Sequence, residues 1–253
     1  MFNKIFNFFI KRKKVNLKTL PSMGLFYKDG FEIKIKKATK KDIEDYEANY
    51  SNDDIGTVIY YIKKIVENNI ILPKNFKFID IKSIDVIFLF LEVVKFTKGK
   101  SIYLNYYDSL LDKNDKIEFC PDNFNYFQLG KLMDFYDYKK KCFFINDYKY
   151  TLPTIGVENS LTNFLIIKSS EEDSSIYNDY NYDFTHFVGH KNHLSYKEIE
   201  NLIQIFNFDL DDNEMKKIRK IISLFSGMLK YSLSKDGRLV EMTSKINLQK
   251  IWR

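Results

Sequence analysis

The stretch LPSMGLFYKDGFEIKIKKATKKDIEDYE, running from Leu20 to Glu47, decides how the chain is read, because a turn, a strand and a capped helix follow one another in it. Leu20-Pro21-Ser22-Met23-Gly24 reads as a turn: the proline ring fixes one backbone dihedral and the glycine supplies a permissive one. Tyr27-Lys28-Asp29-Gly30 is a second, hairpin-type turn, Asp-Gly being the pair that tolerates the positive φ such turns require. Phe31, Ile33 and Ile35 then alternate with charged residues, which predicts a half-buried strand over 31–37. Thr39 stands where a helix N-cap belongs, and Asp42, three positions on, completes a capping box.

Outward from there, helices come first and strands later. Ile55, Val58, Ile59, Ile62, Ile65 and Val66 keep helical spacing and form one apolar stripe, opening near Ser51 to Asp53 and running to about Asn69. A third helix opens at Asp80 or Ser83. Its centre, Val86 to Val94, is apolar nearly all round, so it is expected to be buried, and Gly99 stops it. Ser101 to Tyr107 alternates as a strand, with a polar turn over Leu110 to Lys116 and a partner strand from Ile117 to Cys120. Cys142 to Leu152 reads as a hairpin around Asn146-Asp147, and Glu158 to Ile167 as a helix. Ser195 with Glu198 forms a second capping box, Asp211 or Asp212 caps the next helix, and residues 231–242 read as a terminal hairpin. The expected class is α+β, with mixed helices and short antiparallel hairpins and a helical carboxy-terminal region. The organisation reads as a basic, aromatic tail (1–19), an α+β domain (20–168), a polar linker (169–194) and a helical subdomain (195–253).

With 253 residues, 45% of them hydrophobic, the chain can bury a sizeable core and is not a disordered polymer. The 23 Phe and 18 Tyr, alongside many Ile, Lys and Asn, carry the stamp of AT-rich coding, so no single aromatic or lysine supports an argument here. Net charge is +6, a mild excess. A dedicated nucleic-acid binder carries a stronger basic face; a nucleic-acid-associated role resting on Lys11-Arg12-Lys13-Lys14 is the alternative function. The two cysteines, without a secretory signal, point to free thiols in a reducing cytoplasm. At the amino terminus the positive charges follow the apolar residues instead of preceding them, unlike a signal peptide. Phe2, Ile5, Phe6, Phe9 and Ile10 fall on one side of a short amphipathic helix that suits partner docking, packing on its own domain or a membrane surface. No window approaches the roughly 20 apolar residues of a membrane span, and a soluble chain is expected.

A search for chemistry finds none. His186 and His190 are a helical turn apart, with His193 close by, but Phe187 stands where a zinc protease places its general-base glutamate. Cys120 is followed by Pro121, Asp122 and Asn123 with no second cysteine, and Cys142 stands alone, so half a zinc-ribbon ligand set is present at most. No phosphate-binding glycine loop, nucleophile elbow or catalytic-cysteine pattern occurs. The expectation is a non-enzyme without cofactor or metal. Leu20, Pro21, Gly24, Phe26 and Tyr27 are read as a structural or docking element.

The order LPSMGLFY, the strand FEIKIKKAT and the helix KKDIEDYE resembles the "LPS-G-Y, strand, T-x-x-(D/E)-(D/E)" opening of baseplate hub proteins of T-even-like contractile-tailed bacteriophages. IGTVIYYIKKIVENNI, DIKSIDVIFLFLEVVKFTKGKSIYL and TLPTIGVENSLTNFLI follow in the same order as in that family. The resemblance covers roughly residues 18–167 and continues in outline only to INLQKIW. Two departures stand out: Cys120 lacks the mate of a CxxC pair found in several relatives, and Glu92, Lys95 and Thr97 replace an Arg and Ser pattern. The resemblance implies a hub component or hub-assembly chaperone, acting by contact with hub or tail proteins in the host cytoplasm and the virion baseplate, with homo-oligomers possible. It carries over no catalytic residues.

Overall fold

The computed structural model describes residues 11–50, 55–108, 111–121, 124–125, 130–145, 148–169, 185, 187, 192–206, 210–228, 232–235, 238–241, 246–248 and 251–252. Among them are helices α1 (Lys40–Asn49), α2 (Ile55–Asn69), α3 (Val86–Lys98), α4 (Ile155–Ser169), α5 (Tyr196–Gln204) and α6 (Asp212–Met228). Strands β1 (Arg12–Lys14), β2 (Lys34–Lys36) and β3 (Ile70–Ile71) form one sheet in that order. β4 (Tyr103–Asp108) lies between β5 (Lys113–Glu118) and β12 (Ile246–Asn247). β7 (Tyr136–Asp137), β8 (Cys142–Ile145) and β9 (Tyr148–Tyr150) make a third sheet, and β10 (Ser232–Lys235) lies between β11 (Arg238–Glu241) and β6 (Phe124–Asn125) in a fourth. Every pairing is antiparallel. The fold is α+β.

α3 is the axis of the core. Val86, Phe88, Leu89, Phe90, Leu91, Val93 and Val94 are all buried, as an all-round apolar helix requires. Gly99 ends it at φ +66°, its N–H bonded to the Lys95 carbonyl. The one charge within its apolar stretch Val86–Val94, Glu92, is buried at 3% exposure and accepts from Lys13 Nζ at 2.6 Å. The basic run is therefore part of the fold: Arg12–Lys14 pairs with β2, Lys14 reaches Glu32 at 2.6 Å, and Val15 is buried. The amino-terminal segment before it, with Phe2, Ile5, Phe6 and Phe9, lies outside the described residues.

Both capping boxes form as read: the Thr39 hydroxyl accepts from the Asp42 N–H while Asp42 accepts from Thr39 N–H, and Ser195 with Glu198 repeats the pattern. Two strand boundaries move. The strand expected over 31–37 shortens to Lys34–Lys36, because Phe31 N–H closes the Lys28–Phe31 turn instead of joining a ladder. Phe31, Ile33 and Ile35 still alternate inward, all buried. The turn at 27–30 has Gly30 at φ +79°, yet it joins no hairpin, since a run of turns precedes it. Lys113–Lys116, expected as turn, belongs to β5 and pairs with Asn105–Asp108; Asp112 takes the left-handed conformation, φ +48°.

The carboxy-terminal residues close the core. Leu248 and Ile251 are buried, Ile246 pairs with Tyr106, and the Trp252 ring meets Phe90 edge-on at 6.0 Å. Phe206, Ile218, Ile221 and Ile222 join the same cluster, while Val157, Leu161 and Phe164 of α4 pack with Leu194, Ile199 and Ile203 in a second one. The segment 192–194 lies directly on the first turn of α4. A Cβ on Gly156 would sit 2.0 Å from the Asn192 carbonyl oxygen, a separation no real contact allows. Gly156→Ala is expected to cost about 3 kcal/mol, seen by calorimetry as a melting temperature lower by roughly 6–12 °C.

Candidate functional site

Asp85 is the last residue of the 3₁₀ turn Ser83–Asp85 that leads into α3, and its side chain is wholly buried. The helix amino terminus favours a carboxylate there, but the side chain does not cap the helix. It turns instead to the Leu20–Tyr27 segment. Oδ1 accepts from Ser22 N–H at 2.8 Å; Oδ2 accepts from the Ser22 hydroxyl at 2.7 Å and the Tyr27 hydroxyl at 2.6 Å. The Tyr27 oxygen accepts in turn from Lys82 N–H at 3.0 Å.

The Pro-Ser-Met-Gly turn is shaped for this grip. Met23 and Gly24 both take positive φ, 54° and 69°, which aims the backbone and hydroxyl of Ser22 at one carboxylate. A Cβ on Gly24 would meet Leu17 Cβ at 2.9 Å, so glycine is required for space as well as for φ. Leu20, Pro21, Phe26 and Tyr27 are buried. They face inward, and Ser22 and Tyr27 latch the amino-terminal segment to the start of α3.

A third segment joins from behind. Lys82, 4% exposed, donates from Nζ to the Leu152 carbonyl at 2.9 Å and, at 3.3 Å, to the Thr151 hydroxyl. Ser83 N–H bonds to Pro153 O and Ile155 N–H to Ile81 O, so Thr151–Ile155 is clamped along Ile81–Ser83. Burial pushes Asp85 up to about 6, against the opposing pull of its Tyr27 and Ser22 donors and the Lys82 charge. Burial pulls Lys82 down to about 8, opposed by the charges of Asp85 and Asp80.

A cleft of about 70 Å³ opens beside this network. Tyr27 and Phe31, stacked at 4.1 Å, and Phe76, edge-on to Phe31, give it an aromatic side. Lys82 forms part of its wall, and Lys140 and Lys141 stand at it from the turn between β7 and β8.

The other sequence candidates are structural where they are described. His193 is exposed, with Nδ1 2.7 Å from the Ser160 hydroxyl. That hydroxyl gives its one hydrogen to Gly156 O and accepts from Leu194 N–H, so the ring donates to it. The trio staples 193–194 to α4 and leaves no activated serine. His186 and His190 lie outside the described residues. Neither Cys120 nor Cys142 forms a disulfide, and burial raises the Cys142 thiol, which disfavours the reactive thiolate. Among the described residues no group of three or more His, Cys, Asp or Glu is placed to hold a metal.

Asp85 and Lys82 were not among the sequence candidates. The available signal was a carboxylate at the mouth of an otherwise apolar helix, a position that demands donors from elsewhere in the chain.

Asp85→Ala leaves three donors without an acceptor and is expected to cost about 3–5 kcal/mol in denaturant unfolding. The pH dependence has a defined sign. Because the folded-state value of Asp85 lies above the ordinary 3.8, its contribution is fully present below that value and is lost as pH rises through about 6. Lys82, lowered from 10.5, contributes fully above that value and loses its contribution as pH falls through about 8. Unfolding free energies measured against pH should show the acidic-side slope in the native chain and lose it in Asp85→Asn.

No family model matches the chain, and neither a curated protein nor a solved structure does.

Proposed function

We propose that the chain is a non-catalytic baseplate-hub component or hub-assembly chaperone of a contractile phage tail, acting by binding other tail proteins. The observation that carries this reading is the meeting of the resembling segments. LPSMGLFY, DIKSID and TLPTI are far apart in sequence, and Ser22, Tyr27, Lys82, Asp85 and Thr151 bring them into one buried hydrogen-bond network. A likeness spread over three separated stretches thus coincides with one physical unit.

The nucleic-acid alternative draws less support from the basic run. Lys13 is spent on buried Glu92 and Lys14 on Glu32, so at least two of its four cations are engaged within the fold.

Expressed with the tail proteins of its phage, the tagged full chain is expected to co-purify with a hub subunit at a fixed ratio. Recovery should persist across a roughly tenfold rise in salt, where binding through several phosphate contacts would fall by orders of magnitude. Failure to recover any tail protein, together with salt-sensitive retention on DNA, would overturn the proposal.

A further inference from the structure

We infer that the cleft beside the Asp85 network is a socket for a carboxylate side chain, a glutamate or aspartate presented by a protein partner. This rests on the binding role proposed above and names the chemistry that one docking point would use.

The floor of the argument is Lys82. An ammonium has three hydrogen-bond donors, and among the described residues Nζ spends one on Leu152 O and one, at a long 3.3 Å, on Thr151 Oγ1. No carboxylate among the described residues is in ion-pair contact with it, although it is 96% removed from solvent by its 4% exposure and lines the cleft. A buried cation with a spare donor and no carboxylate in direct contact favours an incoming anion, which would add to the more distant pull of Asp85 and Asp80. Burial pulls its pKa down to about 8 against the opposing charges of Asp85 and Asp80, and a bound anion would push it back up.

The surroundings keep the cleft positive. Lys28, Lys140 and Lys141 line it as well. Lys141 leans on Asp29, itself 95% exposed, and Lys140 on Asp137 at 3.6 Å; exposed pairs of this kind hold a lysine weakly and release it to a better partner. Asp80, the acidic residue of the lining, is already engaged, Oδ1 by Asn192 Nδ2 and Oδ2 by Lys77 N–H, both at 2.7 Å.

Size and shape select among anions. The cleft, about 70 Å³, is on the scale of a single side-chain head group. The stacked Tyr27 and Phe31 rings offer an apolar wall for the methylenes of a glutamate. The lining contains no arginine fork to match a phosphate's geometry.

The test uses N-acetyl-glutamate N-methylamide as probe, titrated into the full chain and followed by backbone and lysine side-chain NMR. Saturable shifts at Lys82, Thr151 and Lys141 are expected, with a Kd on the order of 1–10 mM for so small a fragment. N-acetyl-glutamine N-methylamide should give none. Lys82→Met should abolish saturation; if that variant does not fold, Lys140→Ala with Lys141→Ala, at the outer edge of the cleft, should weaken binding several-fold. Equal response to the glutamine probe, absence of saturation, or tighter binding of inorganic phosphate than of the glutamate probe would each overturn the socket. Hub subunits recovered by the native chain alongside a silent probe would sink the socket alone. A responding probe without recovered tail protein would sink the hub reading and leave the carboxylate chemistry standing.

Discussion

A single buried carboxylate organises the amino-terminal half of this protein. Burying Asp85 is unfavourable in itself; three donors from the Leu20–Tyr27 segment and the nearby Lys82 charge offset the cost. The requirement works in both directions. Asp85 must have its donors, and Ser22 and Tyr27, buried by the same packing, must have an acceptor. Neither segment can leave without stranding the other, and Lys82 extends the constraint to Thr151 and Leu152. Apolar burial along α3 supplies most of the driving force, whereas the polar knot selects which loop lies on the start of that helix.

Electrostatics repeats the pattern on a second site. Glu92, inside the same helix, is answered by Lys13 from β1. Asp85 just before α3 and Glu92 within its apolar stretch Val86–Val94 are each matched to a different part of residues 13–27. Asp42 plays a comparable role outside α3: it caps α1 and accepts from Asn68 and Asn69 at the end of α2, so one side chain fixes the angle between two helices. Specific polar contacts position elements that apolar packing alone would let slide.

Much of the fold was legible because its signals are local. Thr39-x-x-Asp42, Ser195-x-x-Glu198, Gly99 after α3 and the stripe of Ile62, Ile65 and Val66 all act within one or two helical turns. What escaped was long-range. The pairing of Arg12–Lys14 with β2, the docking of Ile246–Asn247 on β4 and the carboxylate grip on Ser22 join residues tens to hundreds of positions apart. Nothing in the local spacing encodes such partners. The candidate site shows the same division: the Pro-Gly turn at Leu20–Gly24 was readable as a turn, but its target at Asp85 was not. Lys113–Lys116 was lost for a different reason, since an exposed edge strand rich in lysine and aspartate has the composition of a turn.

The seam at Ile246–Trp252 has a consequence for how the chain is made. The Tyr46 hydroxyl bonds to the Leu248 carbonyl across 202 positions, and Trp252 covers rings that α1 and α3 present. During synthesis those rings leave the ribosome long before their cover does. The amino-terminal half must therefore wait, part-folded and with an apolar face open, for roughly ten seconds or more at usual elongation speeds. A chain stalled short of residue 246 would stay in that sticky condition, and only completed copies would seal themselves.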